Sequence, residues 1–145
     1  MSPRRSAFNY GELRGVRVAD GLRVLVVDDH PVNRLVLTEI LTHFGCDVST
    51  AEDGALALGA AAAGQFDLIC LDRHMPGLSG DEVAARLPPD VLVLAWSTDL
   101  TDLPERFNGV ISKPVTLTAA QSAVAKAQAW RSRAPGRRAS RGAAA

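Results

Sequence analysis

The chain predicts an α/β fold, a doubly wound sheet of five parallel strands with helices on both faces. Two observations carry this expectation. Short apolar runs alternate with stretches at helical spacing, and that alternation builds parallel sheets covered on both sides. The apolar runs also stop on polar residues, at Asp28-Asp29, Asp72, Ser97 and Lys113. Right-handed crossovers bring the carboxyl ends of such strands to one rim, and open α/β sheets bind ligands there. One polar strand end is a weak signal. Four converging on one crevice point to a site.

Taken in order, residues 1–20 are polar and aperiodic and read as a flexible arm. Leu22 to Val27 is β-branched and apolar, the pattern of a strand buried on both faces. Pro31 suits a first helical turn. Val36, Leu37, Ile40, Leu41 and Phe44 follow at helical spacing, with Gly45 as the stop. Cys46 to Ala51 is the second strand, and Asp53-Gly54 turns the chain. Ala55 to Ala63 favours helix through its alanines, weakened by Gly59.

Phe66 to Asp72 is the central strand, broken by Met75-Pro76-Gly77. Asp81 to Leu87 forms a helix that Pro88-Pro89 stops. Val91 to Trp96 is the fourth strand. Leu100 to Asn108 contains Pro104 and leaves little room for a helix. The few large apolar residues from Asp99 to Asn108 predict a loosely packed, easily opened segment. Gly109 to Ile111 is the fifth strand. Leu117, Ala120, Val124 and Ala127 mark one face of a last helix ending near Trp130. The domain so defined covers residues 21–130. Residues 131–145, rich in Arg and Ala, read as a disordered tail.

Composition narrows the function. With 47% hydrophobic residues the chain can build a core, and its formal net charge of +0 gives no general pull towards nucleic acid or membrane. No apolar run spans a bilayer, and the N-terminus lacks a signal-peptide core. Cys46 and Cys70 are expected as buried free thiols, which suits the cytoplasm. The Arg-rich end could touch phosphates, but no helix-turn-helix pattern follows the domain, so nucleic acid is not an expected partner. Met1 and the trailing tail lean towards a complete chain.

Carboxylates gathered at one rim repel one another, and a hard divalent cation relieves the repulsion. Mg²⁺ takes oxygen ligands and keeps several waters. Lys113 adds positive charge and Ser97 a hydroxyl donor. Such a site suits a phosphoryl group, whose transfer depends on positioning and charge neutralisation, and Asp is a known phosphoryl nucleophile. The competing reading is a structural Asp–Lys ion pair.

The motifs Val26-Val27-Asp28-Asp29, Leu71-Asp72-x-x-Met75-Pro76-Gly77-x-x-Gly80 and Ser112-Lys113-Pro114 occur in this order. Over residues 22–128 the chain thereby resembles the receiver domain of two-component response regulators. The resemblance implies a flavodoxin-like sheet of order 2-1-3-4-5. It implies Asp72 as phosphoacceptor, with Mg²⁺ on Asp28, Asp29, Asp72 and the His74 backbone carbonyl. Ser97 stands at the switch Ser/Thr position, Lys113 contacts the phosphoryl group, and Lys113-Pro114 is cis. The Pro31-Val32-Asn33-Arg34 helix start is similar to receivers of hybrid kinases and phosphorelays. The implied partner is a histidine kinase or histidine phosphotransfer protein, with output through protein contacts and no enzymatic activity beyond self-phosphorylation and autodephosphorylation.

Three features depart from the family pattern. The stretch from Ser97 to Lys113 is short, so the fourth helix should be shortened, irregular or absent. Val110 stands where many receivers carry an aromatic switch residue. Trp96 beside Ser97 is unusual. These leave open an alternative, a phosphorylation-independent scaffold that keeps the acidic pocket. A flavodoxin or phosphatase reading ranks last, since Asp28-Asp29 would repel a phosphate and His74 replaces the second Asp that a haloacid-dehalogenase-type enzyme needs. Without the aromatic switch, a disorder-to-order change of residues 97–108 is the expected signalling step. Arg73 reads as a solvated charge, and His74 as a loop residue able to shield a phosphoryl group.

Overall fold

The computed structural model describes residues 21–133. The arm expected over residues 1–20, and residues 134–145 of the expected tail, lie outside the described residues.

The strands are β1 (Arg23–Val27), β2 (Asp47–Ala51), β3 (Leu68–Leu71), β4 (Leu92–Ser97) and β5 (Gly109–Ser112). The helices are α1 (Pro31–His43), α2 (Gly54–Ala63), α3 (Gly80–Arg86) and α4 (Leu117–Arg133). All strand pairs are parallel, in the order β2-β1-β3-β4-β5. β3 and β4 are buried throughout, whereas the edge strands β2 and β5 alternate with exposed positions. This is why the three inner runs are continuous in apolar residues and the outer two are not.

Two cores flank the sheet. One joins Val24, Val26, Cys70, Leu94 and Trp96 to α1 and α4. The other joins Leu25, Ile69, Leu71, Val93 and Ala95 to α2, α3 and Phe107. On α1, Leu37, Ile40 and Leu41 are buried, as is Phe44 at its end. Each such burial contributes roughly 2 kcal/mol. Val36, expected on that face, is 44% exposed instead. Gly45 ends the helix with φ 95, a left-handed conformation that favours glycine.

Local chemistry starts the other helices. The Asp53 carboxylate accepts from Leu56 N–H at 2.8 Å. Ser79 and Glu82 form a reciprocal capping box at the start of α3. Among residues 98–108 there is no helix, so the described fold has four helices and the β4–β5 connection is irregular. Among residues 98–108 the one buried side chain is Phe107, and the segment is held at a few points. Leu103 packs on the core, and Arg106 donates to the carbonyls of Pro88 and Val91. Asn108 donates to Val93 O and its side chain accepts from Val93 N–H.

The last helix also exceeds expectation. It runs past Trp130 to Arg133, so residues 131–133 are not a disordered tail. Arg131 lies 3.7 Å from the buried Asp67 carboxylate, and the Trp130 indole donates to Asp90 O at 3.1 Å.

Cys46 and Cys70 are both free and buried. Burial pushes the Cys46 thiol up to about 12, with the Asp67 charge adding to it, and raises Cys70 as well. Thiolates are the reactive form. The native protein should therefore resist a thiol reagent at pH 8 and react fully only after denaturation, as a colorimetric thiol assay would show.

Candidate functional site

The backbone ladders place the polar strand ends on one rim. Asp28 N–H donates to Ala51 O, Asp72 N–H to Val27 O, and Lys113 N–H to Ser97 O. The Lys113-Pro114 bond is cis. From there Lys113 Nζ lies 2.7 Å from Asp28 Oδ2 and 3.4 Å from Asp72 Oδ1. Nζ also stands 4.7 Å from the centroid of the buried Trp96 ring, a cation–π contact. Trp96 thus forms the floor on which the ammonium group rests.

Asp28 is wholly buried and held from three sides. Besides Lys113, its Oδ1 accepts from His30 N–H at 2.8 Å and its carbonyl accepts from Arg34 at 2.7 Å. Asp29 is more open, and its Oδ1 lies 3.1 Å from His30 Nδ1. Ligand atoms of Asp28, Asp29 and His30 all lie within 4.8 Å of one another. Asp72 is joined to this group through Lys113. Oxygen donors of this kind fit a hard cation such as Mg²⁺. His30 as a neighbour of the acidic pair was missed from the sequence.

Burial raises the Asp72 carboxyl above its ordinary range and the Asp28 charge adds to this, while Lys113 and the His74 N–H oppose it. His74 N–H donates to Asp72 Oδ1 at 3.3 Å. Ser97 is buried at the end of β4, and its Oγ accepts from Asp99 N–H at 3.1 Å. Its own proton remains available to a second acceptor.

The family pattern for the response regulator receiver domain matches residues 24–125. This chain belongs to the response regulator receiver family. It is 32% identical over 115 residues to the sensor histidine kinase RcsC of Salmonella typhi, an alignment covering 73% of this chain and 12% of the kinase. It is 43% identical over 67 residues to the transcriptional regulatory protein TcrA of Mycobacterium tuberculosis, covering 46% of this chain and 26% of that protein. The receiver thus spans a small part of the curated relatives it matches. Among solved structures, the response regulator TrrA of Thermotoga maritima, in complex with Mg²⁺ and BeF, superposes with a TM-score of 0.69 at 33% identity. That match covers 73% of this chain and 98% of TrrA. The chemotaxis protein CheY4 of Vibrio cholerae superposes with a TM-score of 0.67 at 26% identity, covering 74% and 98% of the two chains.

Within this receiver the residues after Asp72 correct the sequence reading. Arg73 is not solvated. It is buried, and its guanidinium takes both carboxylate oxygens of Asp81 at 3.0 Å each. The same group donates to Asp99 O at 2.9 Å and Thr101 O at 2.8 Å. Neither pairing has a local spacing that sequence could reveal. The exposed His74 ring lies 3.0 Å from Asp99 Oδ2 through Nε2.

Hydrogen bonds from the Thr101 hydroxyl and N–H, then His74, lower the Asp99 carboxyl to about 2. A depressed carboxylate favours the folded loop fully above the ordinary Asp range, and this is lost as pH falls towards 2. Carboxyl NMR titration should place the Asp99 midpoint near 2, and Thr101→Val should move it upwards.

Proposed function

We propose that this receiver accepts a phosphoryl group on Asp72 in a Mg²⁺-dependent reaction with a phosphohistidine of a histidine kinase or phosphotransfer protein. The observation that carries the reading is Lys113 Nζ lying between Asp28 and Asp72 at the carboxyl rim of the sheet. The P–N bond of the donor breaks, an O–P bond forms on an ionised Asp72 oxygen, and the imidazole leaves. Lys113 would neutralise charge on the phosphoryl oxygens, and Ser97 would donate its hydroxyl proton to one of them. Asp29 most directly, with Asp28, Asp72 and the His74 carbonyl, would hold the metal. The bound ion would supply charge neutralisation between carboxylates and phosphoryl oxygens. Hydrolysis of the acyl phosphate would return the resting state, and no other enzymatic reaction is proposed.

The donor protein would dock on the start of α1. Val32 is 70% and Leu35 62% exposed there, next to the acidic pair. Contiguous exposed apolar residues beside a polar site suit a protein partner. No helix among the described residues is long and apolar enough to cross a membrane.

Incubation with Mg²⁺ and acetyl phosphate should raise the intact mass by one phosphoryl group. Asp72→Asn should abolish the gain, and labelling that persists in this variant would remove Asp72 from the role. Leu35→Asp should leave acetyl phosphate labelling intact but slow transfer from a phosphorylated phosphotransfer protein at least tenfold, read by loss of the donor's label.

A further inference from the structure

The residue after the phosphoacceptor carries a charged side chain almost wholly removed from water. A buried guanidinium must be matched by acceptors, since an unmatched one would cost several kcal/mol. Arg73 is matched on two sides. One edge of the guanidinium, Nε and Nη2, donates to the two Asp81 carboxylate oxygens in the bidentate geometry that only Arg offers. Its remaining donors hold the carbonyls of Asp99 and Thr101, just beyond Ser97. The loop folds closely around it, and Asp102 adopts φ 47, unusual for a residue with a side chain.

The backbone beside Arg73 is fixed to the same helix. Gly80 N–H donates to Arg73 O at 2.8 Å. A Cβ at Gly80 would collide with the Asp72 carbonyl oxygen. Residues 72–73 and 80–81 are therefore held against each other, and the Asp99–Thr101 loop is tied to them through the Arg73 side chain. On the opposite side, β5 offers Val110, which is 45% exposed and has neither ring nor hydroxyl to re-pair.

We infer that Arg73 is the coupling element of this receiver. Any shift of the 97–101 loop towards a group on Asp72 is transmitted through the guanidinium to Asp81 and the start of α3, not through β5. This rests on the phosphoacceptor reading. It differs from the disorder-to-order step expected from sequence in routing the signal through hydrogen bonds that the loop already makes. Coupling requires an element whose arrangement both sites bias, and the guanidinium is the group that touches both segments.

Backbone NMR of the full chain with Mg²⁺, with and without beryllofluoride, tests this, with ¹⁹F NMR reporting uptake. In the wild type, residues 98–102 and 80–86 should shift together, with β5 shifting least. Arg73→Lys keeps the charge but loses the fork. It should take up beryllofluoride within about threefold of wild-type affinity, while the response of residues 81–86 falls at least threefold. Asp81→Asn should lose the α3 response and keep that of the loop. A purely structural Arg73 would lower the melting temperature of Arg73→Lys and leave both responses intact, and that result overturns the inference. Should Arg73→Lys fail to fold, a full α3 response in Asp81→Asn overturns it equally. A wild type that takes up no beryllofluoride overturns the phosphoacceptor reading and this inference together.

Discussion

The arrangement depends on placing one ammonium group between two buried carboxylates. Asp28 is wholly buried and Asp72 nearly so, and two such anions in one crevice would oppose each other's ionisation. Lys113 makes the crevice tenable. Its position follows from the end of β5, and its ammonium rests against Trp96. Removing that charge would leave the buried anions facing each other, which is a stronger penalty than the loss of a surface pair.

A second polar cluster stands beside the first and divides the labour. The Asp28–Asp72–Lys113 group would carry the proposed chemistry, with nearby His30 adding to the donors around Asp29. The Arg73–Asp81 group provides mechanical connection between the central strand, α3 and the β4–β5 loop. The two are joined by the single peptide unit between Asp72 and Arg73. Adjacent strand-end residues point to opposite sides, so one chain turn serves both clusters.

The fold was legible because the inner strands are continuous in apolar residues and each ends in a polar one. The rim residues Asp28, Asp29, Asp72, Ser97 and Lys113 were legible for the same reason, since topology alone carries strand ends to one edge. Arg73 was not. Its acceptors are a carboxylate beyond a turn and two carbonyls from another loop, and a backbone carbonyl leaves no mark in a sequence. The points at which residues 98–108 are anchored were hidden on similar grounds. Phe107 was visible, but the pairing of Asn108 with Val93 and of Arg106 with two carbonyls depends on where the chain returns. Helix α4 outlasted its apolar face because Arg131 meets Asp67, a contact between residues far apart in sequence.

The helix-free connection between β4 and β5 limits how this chain can vary in length. Parallel neighbours need a crossover of about a dozen residues, usually a helix, to carry the chain back along the sheet. Residues 98–108 make the return from Ser97 to Gly109, which lies opposite Leu94, with that minimum and no helical slack. They also spend Phe107 on covering the sheet face along the way. Added residues at the exposed turn would loop into solvent at small entropic cost. Removed residues would shorten a return already near that minimum, so this connection can lengthen more readily than it can shorten.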